Sequence, residues 1–167
     1  MRSLLAALLA FVVAAPCLAQ EPVGCDKFKW PLDTERSMLT AADVPGVASG
    51  GSVAKPPPVA VSVALVSLAD AKLPLPLERA PKSSASFAGF VKAAAPPRAG
   101  TYKITVSAPA WIDVAQAGKL VKSSAFSGAM GCDGIRKSVK FNLAATPFTI
   151  EISGVEVNSI RLAITGD

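Results

Sequence analysis

Between Gly100 and Ser124 the chain reads GTYKITVSAPAWIDVAQAGKLVKSS, and its side chains change character with a period of two. Tyr102, Ile104 and Val106 fall on one side, with Thr101, Lys103 and Thr105 on the other. After an Ala108-Pro109 break, Trp111 and Ile112 take opposite sides and Val114 follows. A turn at Gly118-Lys119 sends the chain back through Leu120-Val121. A helix would repeat its apolar positions every three or four residues. This period, carried by β-branched and aromatic residues, belongs to an antiparallel sheet with one buried face.

The same signature recurs. Val59 to Leu68 places Val59, Val61, Val63 and Leu65 on one face, and Ser84 to Lys92 places Phe87, Gly89 and Val91 together. Val139, Phe141 and Leu143 point inward, as do Phe148, Ile150 and Ile152, and then Ile160, Leu162 and Ile164. Thr149, Glu151 and Ser153 read as a wet face, and Arg161 as outward. Prolines at 74 and 76 make Lys72 to Pro81 an edge or a polyproline-like crossing between sheets, because neither can donate to a ladder. Val47 to Pro58 and the glycine-rich Ser123 to Gly134 read as loops. About eight short strands predict an all-β, antiparallel β-sandwich, jelly-roll-like, with a closed barrel as the second choice.

The ends of the chain set its context. One charge at Arg2, an apolar run from Ser3 to Ala15 and Cys17-Leu18-Ala19 form a secretory signal peptide over residues 1–19. An uncleaved anchor is the alternative, but the run falls short of the ~18 to 20 apolar residues of a span. Lipidation at Cys17 would need an aliphatic residue where Ala14-Ala15-Pro16 stands. Residues 20–58 then form an arm with a short helix capped by Asp33, with Thr34 and Glu35 in its first turn, and residues 59–167 the sandwich domain. This organisation predicts a periplasmic or secreted protein that does not span the membrane once the signal is cut. Two cysteines remain, Cys25 and Cys132, and a pair in an exported chain reads as one disulfide; two separate buried thiols are the alternative. Closing a loop of about a hundred residues is worth roughly 4 to 5 kcal/mol at most in the chain-entropy account.

Seventeen basic and 12 acidic residues give a net charge of +5. The basic residues are scattered without interleaved aromatics, a pattern that excludes a nucleic-acid binder and fits loose attraction to anionic surfaces.

Two resemblances add to this reading. GTYKITV, WIDV, KSVKFNLA and FTIEISGVEVNSIRLAI resemble the β-sandwich modules appended to secreted bacterial enzymes, of pre-peptidase C-terminal and carbohydrate-binding type. CDKFKWPL and GCDGIRKSVKF, with the chain as a whole, resemble small exported proteobacterial β-sandwich proteins, some labelled homogentisate 1,2-dioxygenase. The first resemblance implies binding, the second a ring-cleaving oxygenase. Such an oxygenase holds ferrous iron with two histidines and a carboxylate, and this chain has no histidine, so none of those ligands can be assigned here. The same lack removes Ser-His-Asp and Cys-His catalysis.

Remaining acidic residues offer little. Glu151 and Asp113 read as solvated charges on strand faces, and Asp133 as a turn residue whose loop, Gly131 to Gly134, supplies one carboxylate toward calcium without an EF-hand ladder. The sequence therefore points to no catalytic residue, no metal and no cofactor. It predicts a non-catalytic binding or accessory protein for a protein, glycan or envelope surface, with homo-oligomerisation left open. Its surface is expected at Trp30, Trp111, Asp133, Arg136 and Lys137. Both tryptophans read first as packed apolar anchors, with a ligand-stacking platform as the alternative.

Overall fold

The computed structural model describes residues 21–167, so the signal peptide read at residues 1–19 lies outside the described part. A turn of 3-10 helix, Cys25–Lys27, precedes helix α1, Asp33–Thr40. Twelve strands follow: β1 Gly46–Ala48, β2 Ser52–Val53, β3 Val59–Ala64, β4 Val66–Ser67, β5 Phe87–Ala93, β6 Gly100–Val106, β7 Trp111–Gln116, β8 Lys119–Val121, β9 Ser123–Gly128, β10 Lys137–Leu143, β11 Phe148–Val155 and β12 Ser159–Gly166. They form two six-stranded sheets. The first has the order β1-β3-β12-β6-β10-β9, and the second β2-β5-β11-β7-β8 with β4 also paired to β5.

The expected sandwich is present, with more strands than the eight read from periodicity. β1, β2, β4 and β8 are two or three residues long, too short to show a period. Two stretches read as loops are ladder-forming. The segment 46–53 adds β1 and β2 in parallel to β3 and β5, and Ser123–Gly128 pairs antiparallel with β10. The chain crosses between the sheets from β1 to β2 at one edge of the sandwich and from β8 to β9 at the other.

Between the sheets the period-two residues interdigitate. Val61, Val63, Ile104, Val106, Phe141, Leu162 and Ile164 of the first sheet meet Val91, Ile112, Val114, Ile150 and Ile152 of the second. Fully burying each such side chain is worth about 1.5–3 kcal/mol. Tight turns and close approaches fall where glycine allows them. Gln116 pairs with Lys119 across a two-residue turn in which Ala117 and Gly118 both have positive φ, 48° and 73°. That is the geometry matching the right-handed twist of a hairpin. At Gly89 a Cβ would lie 2.7 Å from Ser49 Oγ, the atom that accepts the Phe90 N–H at 3.2 Å.

Neither sheet leaves its outer face bare. The arm and α1 cover the first sheet, where Leu32, Leu39, Cys132, Ile135 and Ala163 form a second apolar cluster with Phe28 and Trp30 against it. The Cys25–Cys132 disulfide clips the arm to the Gly131–Gly134 loop, across a separation of 107 residues. Asp33 begins α1 without capping it; the N-cap position is Leu32 and no side-chain cap is made. The other end of α1 is closed by Arg161, whose Nη1 donates to Leu39 O at 2.6 Å and Ala41 O at 3.0 Å. On the second sheet, the segment 72–81 lies across β7 and β11 as a strap, with Leu73, Leu75 and Leu77 half-buried and Pro74 and Pro76 exposed. Burial on both faces overturns the wet-face reading of β11. Glu151 is 1 % and Ser153 0 % exposed.

Candidate functional site

The outer face of the second sheet carries a group of polar side chains that the strap covers. In an antiparallel pair, residues directly opposite each other share a face. The register sets Trp111 against Ser153 and Asp113 against Glu151, all four on the side away from Ile112 and Ile152. Asp113, read from sequence as solvated, is 4 % exposed. The reversal has a simple cause: the strap shields this face, and it is held there by the carboxylates themselves. The Leu75 N–H donates to Glu151 Oε1 at 2.8 Å, and the Glu78 N–H donates to Asp113 Oδ2 at 3.2 Å. Prolines 74 and 76 have no N–H of their own, so the strap's free donors fall between them and after them.

Trp111 is fixed from three directions. Its Nε1 donates to Asp113 Oδ1 at 2.8 Å. The Arg79 guanidinium lies 5.4 Å from its ring centroid, and the Lys137 ammonium lies 5.0 Å away. Lys137 in turn donates to Ala110 O at 2.9 Å. Burial pushes the Lys137 ammonium below its ordinary value, helped by the nearby Arg136 and Arg79 charges, while Asp113 works in the opposite sense. Glu151 is pushed up. Burial is the main cause and the Asp113 charge adds to it, opposed by the hydrogen bond from Leu75.

Two of the residues expected at a binding surface therefore meet, Trp111 and Lys137. Arg136 precedes Lys137 and bonds to the Glu21 carboxylate and, at 3.5 Å, to Ala129 O. Trp30 lies on the other outer face. Its Nε1 donates to Ser138 Oγ at 3.3 Å and the Lys140 ammonium sits 4.6 Å from its ring. Asp133 is exposed in its loop, at the mouth of an open groove of about 580 Å³ that Thr40 and Arg161 also line. A smaller cleft of about 260 Å³ adjoins the disulfide. Neither cavity reaches Trp111.

Arg79, Asp113, Glu151 and Ser153 were not singled out as site residues from the sequence. The leucines at 73, 75 and 77, alternating with prolines, mark a segment that has to bury one side, but that it does so over Asp113 and Glu151 is set by the tertiary fold. No group of three or more His, Cys, Asp or Glu side chains converges on one point among the described residues, and no helix among them is long and apolar enough to cross a membrane.

The chain matches no protein-family model, no curated protein and no solved structure.

Proposed function

We propose that the protein is an exported, non-catalytic recognition module that binds an anionic glycan or other anionic polymer of the cell envelope. The observation that carries this reading is the group Arg79–Trp111–Lys137 at one end of the second sheet. With two cations set 5.4 and 5.0 Å from the ring and the indole N–H committed to Asp113, the groups left to meet a ligand are positive. Arg79 is exposed, whereas Arg136, next to Lys137 in sequence, is engaged by the Glu21 carboxylate. Arginine suits planar carboxylate and phosphate groups through paired N–H donors. The carboxylates Asp113 and Glu151 lie closed beneath the strap, 4 % and 1 % exposed, which supports recognition over turnover.

The test is binding of the mature chain to arrays of neutral and anionic envelope polymers. Anionic members should be retained and released as salt is raised, since exposed charges are screened within about 10 Å at 0.1 M salt. Arg79→Ala should weaken retention roughly tenfold, the effect of losing about 1.4 kcal/mol, with an unchanged melting temperature. Equal retention of neutral polymers, or retention indifferent to Arg79, would refute the reading.

A further inference from the structure

The outer face of the second sheet holds two negative groups side by side with no positive group paired to either. Asp113 and Glu151 are register partners, so their Cβ atoms start about 4.5–5.5 Å apart. No salt bridge among the described residues includes them. Arg79 and Lys137, the nearest cations named at this face, engage the Trp111 ring. The carboxylate oxygens are unevenly used. Asp113 Oδ1 and Oδ2 each accept one hydrogen bond, and Glu151 Oε1 accepts one. Glu151 Oε2 and Ser153 Oγ have no partner, although both residues are almost wholly buried.

Two partnerless oxygens on neighbouring positions of one strand face form a directed feature. Buried polar atoms in native proteins are nearly always satisfied, so each exception calls for a ligand or a cost. Residues two apart on a strand are separated by about 6.6 Å. The two oxygens leave the same face of β11 and do not bond to each other, and a cation whose oxygen ligands lie at about 2.4 Å can take both once the longer Glu151 side chain leans toward Ser153. The available donors are two carboxylates and a hydroxyl, with no nitrogen or sulfur: the hard-oxygen set that selects calcium over transition metals.

We propose that Asp113, Glu151 and Ser153 form a calcium site beneath the strap, its remaining ligands coming from water and backbone carbonyls. Three protein ligands place it at the weak end, roughly 10⁻⁴ to 10⁻³ M, the range of extracellular modules. The ion neutralises the carboxylate pair and partners both orphan oxygens. Because the same carboxylates hold Leu75 and Glu78, it also tightens the strap on the sheet. A proton on Glu151 competes with it, since burial and Asp113 push that carboxyl up.

The experiment uses the mature chain, stripped with chelator, and three readouts: calcium calorimetry, terbium luminescence sensitised by Trp111, and trypsin cleavage at the exposed Lys72 and Arg79. One saturable calcium per chain is expected, with terbium emission displaced by calcium and strap cleavage slowed about tenfold at saturation. Glu151→Gln and Ser153→Ala should each lower calcium affinity while near-ultraviolet circular dichroism stays native. Asp26→Asn, at an exposed carboxylate, should leave it unchanged. No saturation at millimolar calcium overturns the proposal, as does equal binding by Glu151→Gln and Ser153→Ala. Full strap protection in calcium-free Glu151→Gln at neutral pH, with calcium adding nothing in the unsubstituted chain, also overturns it and assigns the site to a proton.

Discussion

The two outer faces of the sandwich each bury one glutamate to 1 % exposure, and they treat it in opposite ways. On the first sheet, Glu35 of α1 meets the Lys103 ammonium at 2.8 Å and accepts the Thr165 hydroxyl proton. Around it, Ser138 and Thr105 bond to each other at 2.9 Å, Trp30 bonds to Ser138, and Arg161 closes the helix. On the second sheet, Glu151 meets a backbone N–H and a second carboxylate, and keeps one oxygen unpartnered. Equal burial thus conceals unequal compensation. A paired buried charge fastens a layer; an unpaired one marks a place where something else is accommodated.

The sharpest way to break this comparison is to neutralise both glutamates. Glu35→Gln should destabilise the protein by about 3 kcal/mol in a denaturant titration, because Lys103, its side chain only 13 % exposed, is left without its partner. Glu151→Gln in calcium-free buffer should instead raise stability at neutral pH, by on the order of 1 kcal/mol, since it removes a charge that has no counter-charge. Two losses of similar size would make the faces equivalent.

Next comes the clip. Replacing Cys25 and Cys132 with serine should cost roughly 2–5 kcal/mol. The loosening should appear in hydrogen exchange of the arm and α1, with the strap unaffected. Spread of the exchange to residues 72–81 would show that the two covers are not independent.

A pH series separates the faces further. The folded-state value of Glu151 is raised, so the folded protein holds this proton where the unfolded chain has already released it. Its contribution to stability is fully present below the ordinary carboxylate value and is lost as pH rises through the raised one. In calcium-free buffer, Glu151→Gln should flatten that fall in chemical denaturation measured across the acid range. An unchanged slope would place the titration elsewhere.

The smallest expected effect is at the sandwich edge, where the Lys29 ammonium lies 5.1 Å from the ring of Phe126, itself 63 % exposed. Lys29→Ala should change stability by no more than about 0.5–1 kcal/mol. A larger loss, read by denaturant titration, would show that the arm is held by its surface contacts as well as by its clip and cluster.

Much of the fold was legible. Strands β3, β5, β6, β7, β10, β11 and β12 carry five or more residues of alternation, and their inward residues in sequence are the core. β9 escaped because SSAFSG has no apolar repeat, and its pairing is supplied by β10. The site was only half legible. Trp111 and Lys137 stand out by residue type, whereas Arg79 joins them solely because the strap returns across the sheet.

The order of residues alone determined an all-β sandwich with a cysteine pair and no imidazole, since pleat, turn chemistry and composition are local properties. Only the tertiary structure decided which polar residues lie under cover. Period two assigns a side chain to a face, but whether that face meets water depends on distant segments, here α1 over Lys103 and the 72–81 strap over Asp113 and Glu151.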